Sequence, residues 1–145
     1  MRNSGPIARI MLSDDHPFVR RGLRNILEST HQYEVCGEAC DGIETLELAK
    51  SLRPDILIID ISMPSPNGLE VAKELHDSLP EVKILFLTMH DSAEMLQAAV
   101  AAGASGYLLK SDDEKLLVNA LQYLTAGHHF VSPSFDLDLA HQLFQ

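Results

Sequence analysis

Two kinds of segment alternate along this chain. Short apolar runs occur at "IARIMLSD" (7–14), "YEVCGEAC" (33–40), "DILIID" (55–60), "VKILFLT" (82–88) and "SGYLLK" (105–110). Runs of four to eight apolar residues between turn signals read as strands, the middle ones buried on both faces. Between them, apolar positions recur at helical spacing over about 17–29, 42–52, 67–78, 92–102 and 112–126. Pro17 suits a first helical position. Asp41 with Glu44, Asp91 with Glu94 and Ser111 with Glu114 have capping-box spacing. Gly103 and Gly127 stand where helices should stop. In the last helix Leu116, Leu117, Ala120, Leu121 and Leu124 make one stripe, most simply a core face. Five strands alternating with helices predict an α/β fold, a parallel sheet with helices on both faces. After Gly127 the pattern weakens to a loop and a short amphipathic segment with Leu137, Ala140 and Leu143 at helical spacing.

With 145 residues the chain can bury a real core as one domain. A hydrophobic fraction of 46% with 22% charged residues is that of a globular protein, and no apolar run approaches the ~20 residues of a membrane helix. The start, "MRNSGPIARI", lacks a secretory signal, so the expected location is cytoplasmic, with no membrane partner. Cys36 and Cys40 are then expected as buried, reduced thiols. Eleven Lys and Arg against 21 Asp and Glu give a net charge of -10, which argues against nucleic-acid binding by this chain. Arg20, Arg21 and Arg24 are the one basic cluster, expected to meet an acidic partner or the chain's own carboxylates.

Ligands of open parallel sheets bind beyond the carboxyl ends of the strands. Those ends carry Asp14 and Asp15, then Asp60, Thr88 and Lys110. Each has an ordinary reading: Asp14 or Asp15 as a helix cap, Thr88 as a strand residue, Lys110 as a solvated strand end. Their conjunction on one edge is harder to obtain by chance. Clustered carboxylates repel unless a cation joins them. An all-oxygen set with few protein ligands favours Mg²⁺. A metal with a lysine suits a phosphoryl group, and Asp60 is a candidate nucleophile. His16 reads as a helix-entry residue, and His128 and His129 as loop residues.

"LSDDHPFVRRGL", "LIIDISMPSPNG", "LFLTMHD" and "GYLLKS" resemble, in order and spacing, the motifs of response regulator receiver domains, over about residues 7–126. The resemblance implies a doubly wound, flavodoxin-like, five-stranded sheet of order 2-1-3-4-5. It implies Asp60 as phosphoacceptor, and Mg²⁺ held by Asp15, Asp60 and the backbone carbonyl of Ser62, with Asp14 acting mainly through a bound water. Lys110 would pair with the phosphoryl oxygens. Thr88 would bond to one of them, and its movement would let Tyr107 swing inward. Pro64 and Gly68 match the loop after the acceptor, while Ser62 and His90 flank the phosphoryl group. Many receivers have a cis proline after the lysine; here Ser111 stands there.

"DDHP", "TMHD" and "AGHHFVSP" further resemble receivers joined to a LuxR-type helix-turn-helix domain. The chain is thus expected to hold a receiver over 1–127 and, over 128–145, a linker or short helix towards a DNA-binding domain absent from it. The implied partners are a sensor histidine kinase and a second copy in a homodimer, with DNA bound only by a full-length parent that regulates transcription. It would be a regulatory phosphoacceptor and not an enzyme, beyond catalysing its own phosphorylation and dephosphorylation. The alternatives are a stand-alone phosphorelay receiver and a Mg²⁺-dependent phosphatase with an Asp nucleophile. The latter needs a second Asp two residues after the first, where this chain has Ser62. A nucleotide-binding domain would need a glycine-rich loop after the first strand, which is lacking.

Overall fold

The computed structural model describes residues 7–144. Within them the chain alternates β1 (Ala8–Ser13), α1 (Pro17–Ser29), β2 (Tyr33–Ala39), α2 (Gly42–Leu52), β3 (Ile56–Ile59), α3 (Gly68–Ser78), β4 (Lys83–Thr88), α4 (Ala93–Ala101), β5 (Gly106–Leu109), α5 (Glu114–Thr125), β6 (Phe130–Val131) and α6 (Leu137–Leu143). The strands form one parallel sheet of order β2-β1-β3-β4-β5-β6. The order expected for five strands is present, and a short sixth strand extends it. Two residues carry no readable periodicity, so β6 escapes sequence reading.

β3 explains its own composition. Leu57 and Ile59 point into one apolar cluster with Val71, Leu75 and Leu96, while Ile56 and Ile58 point into another with Leu27, Leu117 and Leu121. All four residues are buried because helices cover both faces. Fully burying such a side chain is worth about 1.5–3 kcal/mol. The α5 stripe is a core face: Leu117, Ala120, Leu121 and Leu124 are buried and Leu116 is half-buried. In α6 the inward residues are Leu139, Ala140 and Leu143, whereas Leu137 is exposed, against its expected place on the apolar face. Cys40 is exposed and Cys36 half-buried, so burial of the thiols fails for Cys40.

The helix starts follow local hydrogen bonding. Asn67 and Glu70 make a reciprocal capping box at 3.0 and 2.8 Å. Asp41 accepts from the Glu44 amide at 2.8 Å, but Glu44 answers to the Cys40 amide. The caps expected at Asp91 and Ser111 lie later, at Ser92 and Asp113. Asp112 accepts from the Leu109 amide at 2.9 Å, and this turn delays the start of α5. Gly103 and Gly127 have φ of 103° and 90°, the left-handed conformation that ends α4 and α5. The one cis peptide among the described residues is Ser65–Pro66, so Lys110–Ser111 is trans. Among the described residues no helix is long and apolar enough to cross a membrane.

Candidate functional site

The parallel register brings the carboxyl ends of β1, β3, β4 and β5 to one edge. Asp60 follows β3, and its amide donates to the carbonyl of Ser13 at 3.1 Å. The Lys110 amide donates to the carbonyl of Thr88 at 2.8 Å, which carries the lysine just past β5. Asp14 and Asp60 are nearly buried, at 3% and 4% exposure. Between them lies the ammonium of Lys110, 2.9 Å from Asp14 Oδ2 and 3.0 Å from Asp60 Oδ2. Charges this buried persist only when paired and hydrogen-bonded. The sequence-expected residues Asp14, Asp60 and Lys110 are therefore in direct contact.

The remaining oxygens are held from the loops. Asp14 Oδ1 accepts from the His16 amide at 2.9 Å and lies 3.0 Å from His16 Nδ1. The same ring nitrogen lies 2.9 Å from Asp15 Oδ1. His16 also occupies the cap position of α1, with no side-chain cap bond, so neither Asp14 nor Asp15 serves as the helix cap. Asp60 Oδ1 accepts from the Ser62 amide at 3.3 Å. The Ser62 hydroxyl lies 2.7 Å from His90 Nε2, a bond that ties the β3–α3 loop to the β4–α4 loop. Thr88 is fully buried, and its hydroxyl oxygen accepts from the His90 amide at 3.4 Å.

Tyr107 was expected to swing inward on switching; the structure already has it inside. It is fully buried, and its hydroxyl donates to the His90 carbonyl at 2.8 Å. Its ring meets Phe135 edge-on at 5.4 Å, between β5 and the start of α6. Burial chiefly, with the charges of Asp60 and Asp91, pushes its phenol well above the usual range. Sequence reading missed Phe135, the pairing of Ser62 with His90, and the bond of Arg20 to the Asp14 carbonyl. Each depends on which loops meet, and no spacing signal encodes that.

Lys110 is not the solvated strand end that its position suggested. Burial alone would lower its pKa, but hydrogen bonds to Asp14 and Asp60 and their charges outweigh it, and the net displacement is upward. A raised lysine pKa means that the pairing contributes fully below the ordinary lysine value, about 10.4, and is lost only as pH rises through the raised value. Lys110→Ala leaves two buried carboxylates facing each other. At neutral pH without metal it should cost about 1–3 kcal/mol, less than for a fully buried pair because the site opens to water. Mg²⁺ should raise the melting temperature of the variant more than that of the parent. A variant that melts like the parent in metal-free buffer would contradict this.

The donor set suits a hard divalent cation. Asp14, Asp15 and Asp60 carry three negative charges, and Lys110 returns one. Oxygen ligands with room for water favour Mg²⁺. Asp14, Asp15 and His16 also place three ligand atoms within 4.8 Å of one another.

The model of the response regulator receiver domain family matches residues 10–122. The transcriptional regulatory protein DegU of Brevibacillus brevis is 35% identical over 125 residues, which are 86% of this chain and 53% of that protein. The chain spans about half the length of the first curated relatives it matches. A LuxR-family two-component response regulator from Aurantimonas sp. SI85-9A1 superposes with a TM-score of 0.87 at 38% identity, over 95% of this chain and 99% of that one. The isolated receiver domain of RcsB from Salmonella enterica serovar Typhimurium, solved with the phosphomimetic BeF3-, gives 0.82 at 29% identity, over 94% and 97%.

Proposed function

This chain belongs to the response regulator receiver domain family, among receivers of the LuxR type, and from that premise we propose that Asp60 is its phosphoacceptor. The observation that carries the proposal is the contact of Lys110 with both Asp14 and Asp60 at the carboxyl edge of the sheet. A sensor histidine kinase would supply the phosphoryl group from a phosphohistidine. An Asp60 carboxylate oxygen bonds to phosphorus as the bond from phosphorus to the donor nitrogen breaks, and the electron pair leaves with the imidazole. Asp15, Asp60 and the Ser62 carbonyl would hold Mg²⁺, with Asp14 acting through water. When bound, the ion offsets the charge of the phosphoryl oxygens and the carboxylates.

The chain's own residues do the rest. Lys110, already on Asp60 Oδ2, passes its ammonium to the phosphoryl oxygens. The Thr88 hydroxyl is drawn to the same group, which perturbs its bond with the His90 amide and, through the His90 carbonyl, the hold on Tyr107. Phosphorylation adds about −1.5 to −2 charge, enough to bias a two-state element of this kind. The role is regulatory, with transcription as the output of a longer, cytoplasmic protein. Residues 1–127 would be the phosphoacceptor unit and 128–145 the connection; residues 1–6 and 145 lie outside the described ones. The phosphatase alternative loses ground because the position of its general acid is Ser62, whose hydroxyl is engaged with His90.

Incubation with Mg²⁺ and a small acyl phosphate tests this. Intact mass should rise by one phosphoryl group, about 80 Da. Steady release of phosphate from many turnovers of a phosphate ester would favour the phosphatase instead. Within the site, Asp15→Asn should weaken Mg²⁺ binding more than Asp14→Asn. Direct ligation is lost outright, whereas a water-mediated contact partly rearranges. Calorimetric titration decides, and equal losses or a larger loss at Asp14 would refute the ranking.

A further inference from the structure

Arg20 reaches from α1 to the end of β1. Its Nη1 donates to the main-chain carbonyl of Asp14 at 2.6 Å, and its Nε to Glu38 Oε1 at 3.0 Å. Glu38 Oε2 accepts from Arg24 Nε at 2.7 Å, and Arg24 also donates to Glu28 at 2.9 Å. The Arg20 side chain is 17% exposed and that of Glu38 27%, so this is a half-buried arrangement and not a solvated fringe.

The carbonyl that Arg20 holds belongs to the peptide joining Asp14 to Asp15. The other side of Asp14 is fixed by its amide, which donates to the Ala39 carbonyl at 3.2 Å. Asp14 is thus clamped between β2 and α1, and the direction in which the chain leaves towards Asp15 is held by the guanidinium on the Asp14 carbonyl together with the His16 amide on Asp14 Oδ1. The Asp15 side chain itself is loosely held: it is 36% exposed, and the group beside it is the His16 ring nitrogen at 2.9 Å, on a side chain itself 65% exposed. We propose that Arg20 is a positioning residue for the metal site, orienting the Asp14–Asp15 peptide so that the Asp15 carboxylate is presented beside Asp60. This role rests on the Mg²⁺ reading above.

Glu38 completes the arrangement. A bare guanidinium beside a cation site would repel the ion, but here two arginines face two glutamates and the group carries no net charge. Burial alone would raise the Glu38 carboxyl, but the hydrogen bonds and charges of Arg24 and Arg20 outweigh it and hold it below the usual range. Glu38 therefore stays ionised at neutral pH.

The test is Mg²⁺ titration of the whole chain, followed by amide NMR shifts at Asp60 and Thr88, with melting temperatures measured alongside. Arg20→Ala should raise the dissociation constant about tenfold, in the range seen when groups that orient metal ligands are removed. Arg20→Lys, which keeps the charge and one donor, should recover part of the loss. Glu38→Gln should weaken binding at low salt and recover in part as salt screens the guanidinium left without its carboxylate. Arg24→Ala should bind within about twofold of the parent, because Arg24 does not touch the Asp14 carbonyl. In metal-free buffer the Asp15 and His16 amides should exchange faster in Arg20→Ala while β1 amides are unchanged. If the parent binds Mg²⁺ and Arg20→Ala binds equally well, the positioning role falls alone. If the parent takes up no Mg²⁺, the metal reading and this role fall together. A loss in Arg20→Ala that Arg20→Lys does not improve, accompanied by faster exchange throughout β1, would mark a merely structural residue and overturn the proposal.

Discussion

Asp60→Asn should fold like the parent and gain no phosphoryl mass. The side chain is almost buried, and the substitution keeps its shape and one acceptor oxygen, so the Ser62 amide retains a partner. What disappears is one of the two carboxylates that share the Lys110 ammonium. Asp14 remains 2.9 Å from that ammonium, so no charge is stranded and the pair becomes one to one. Relief of repulsion between Asp14 and Asp60 offsets the lost contact, and the melting temperature should stay near that of the parent or rise. The chemistry has no such compensation, because an amide does not attack phosphorus. Treated with Mg²⁺ and an acyl phosphate, the parent should gain about 80 Da and the variant nothing. An adduct of that mass surviving in Asp60→Asn would place the phosphoryl group elsewhere and remove the proposed mechanism.

Gly68→Ala should be the most damaging small substitution near the site. Alanine inside a helix is ordinarily better than glycine by about 1 kcal/mol. Here a Cβ would stand 2.3 Å from the Asp60 carbonyl oxygen and 2.7 Å from the Ile61 Cα. Both obstacles are main chain, so no rotamer relieves them. Either α3 lifts, uncovering Val71, Ala72 and Leu75, or the strand end carrying Asp60 shifts. The expected cost is about 2–4 kcal/mol, a fall in melting temperature on the order of 10 °C, with slower phosphorylation. Gly22→Ala is the control. Nothing lies within 4 Å of a Cβ there, and α1 should gain about 0.5–1 kcal/mol. Thermal melts of both variants decide. A Gly68→Ala chain as stable as the Gly22→Ala chain would contradict the close approach of α3 to the main chain of Asp60 and Ile61.

Much of this was legible because local signals and global fold agree. The apolar run at Ile56–Ile59 is a strand buried on both faces, and its length and composition leave little else for it to be. Asp14, Asp60 and Lys110 were readable as one constellation because parallel strands put their carboxyl ends on one edge. The failures share a cause as well. The caps at Ser92 and Asp113 depend on how a turn is bonded, not on spacing alone. Taken singly, Lys110 reads as a solvated strand end, because a strand end alone gives no hint of direct contact with two carboxylates from β1 and β3. Tyr107 is buried in the core beside Phe86 and also meets Phe135, 28 positions along the chain, where β6 returns beside β5. The expectation that Arg20 and Arg24 meet the chain's own carboxylates holds, since both bond to Glu38, but the Asp14 carbonyl was invisible in sequence.

The two borders of the sheet are unlike. On one side β2 runs seven residues and carries the exposed Glu34, a charge that discourages another chain from adding to it. On the other, β5 reads Gly-Tyr-Leu-Leu, with no charge at all. Its main chain is shielded by β6 and the residue after it: the Phe130 amide donates to the Ser105 carbonyl and the Ser132 amide to the Tyr107 carbonyl. Trimming the protein at Gly127 would bare those carbonyls along an uncharged, aromatic-bearing strand. Such a fragment would hold every residue of the proposed phosphoryl site and yet leave that edge open to pairing with another chain. The stretch that adds least to the chemistry is therefore what closes this border of the sheet.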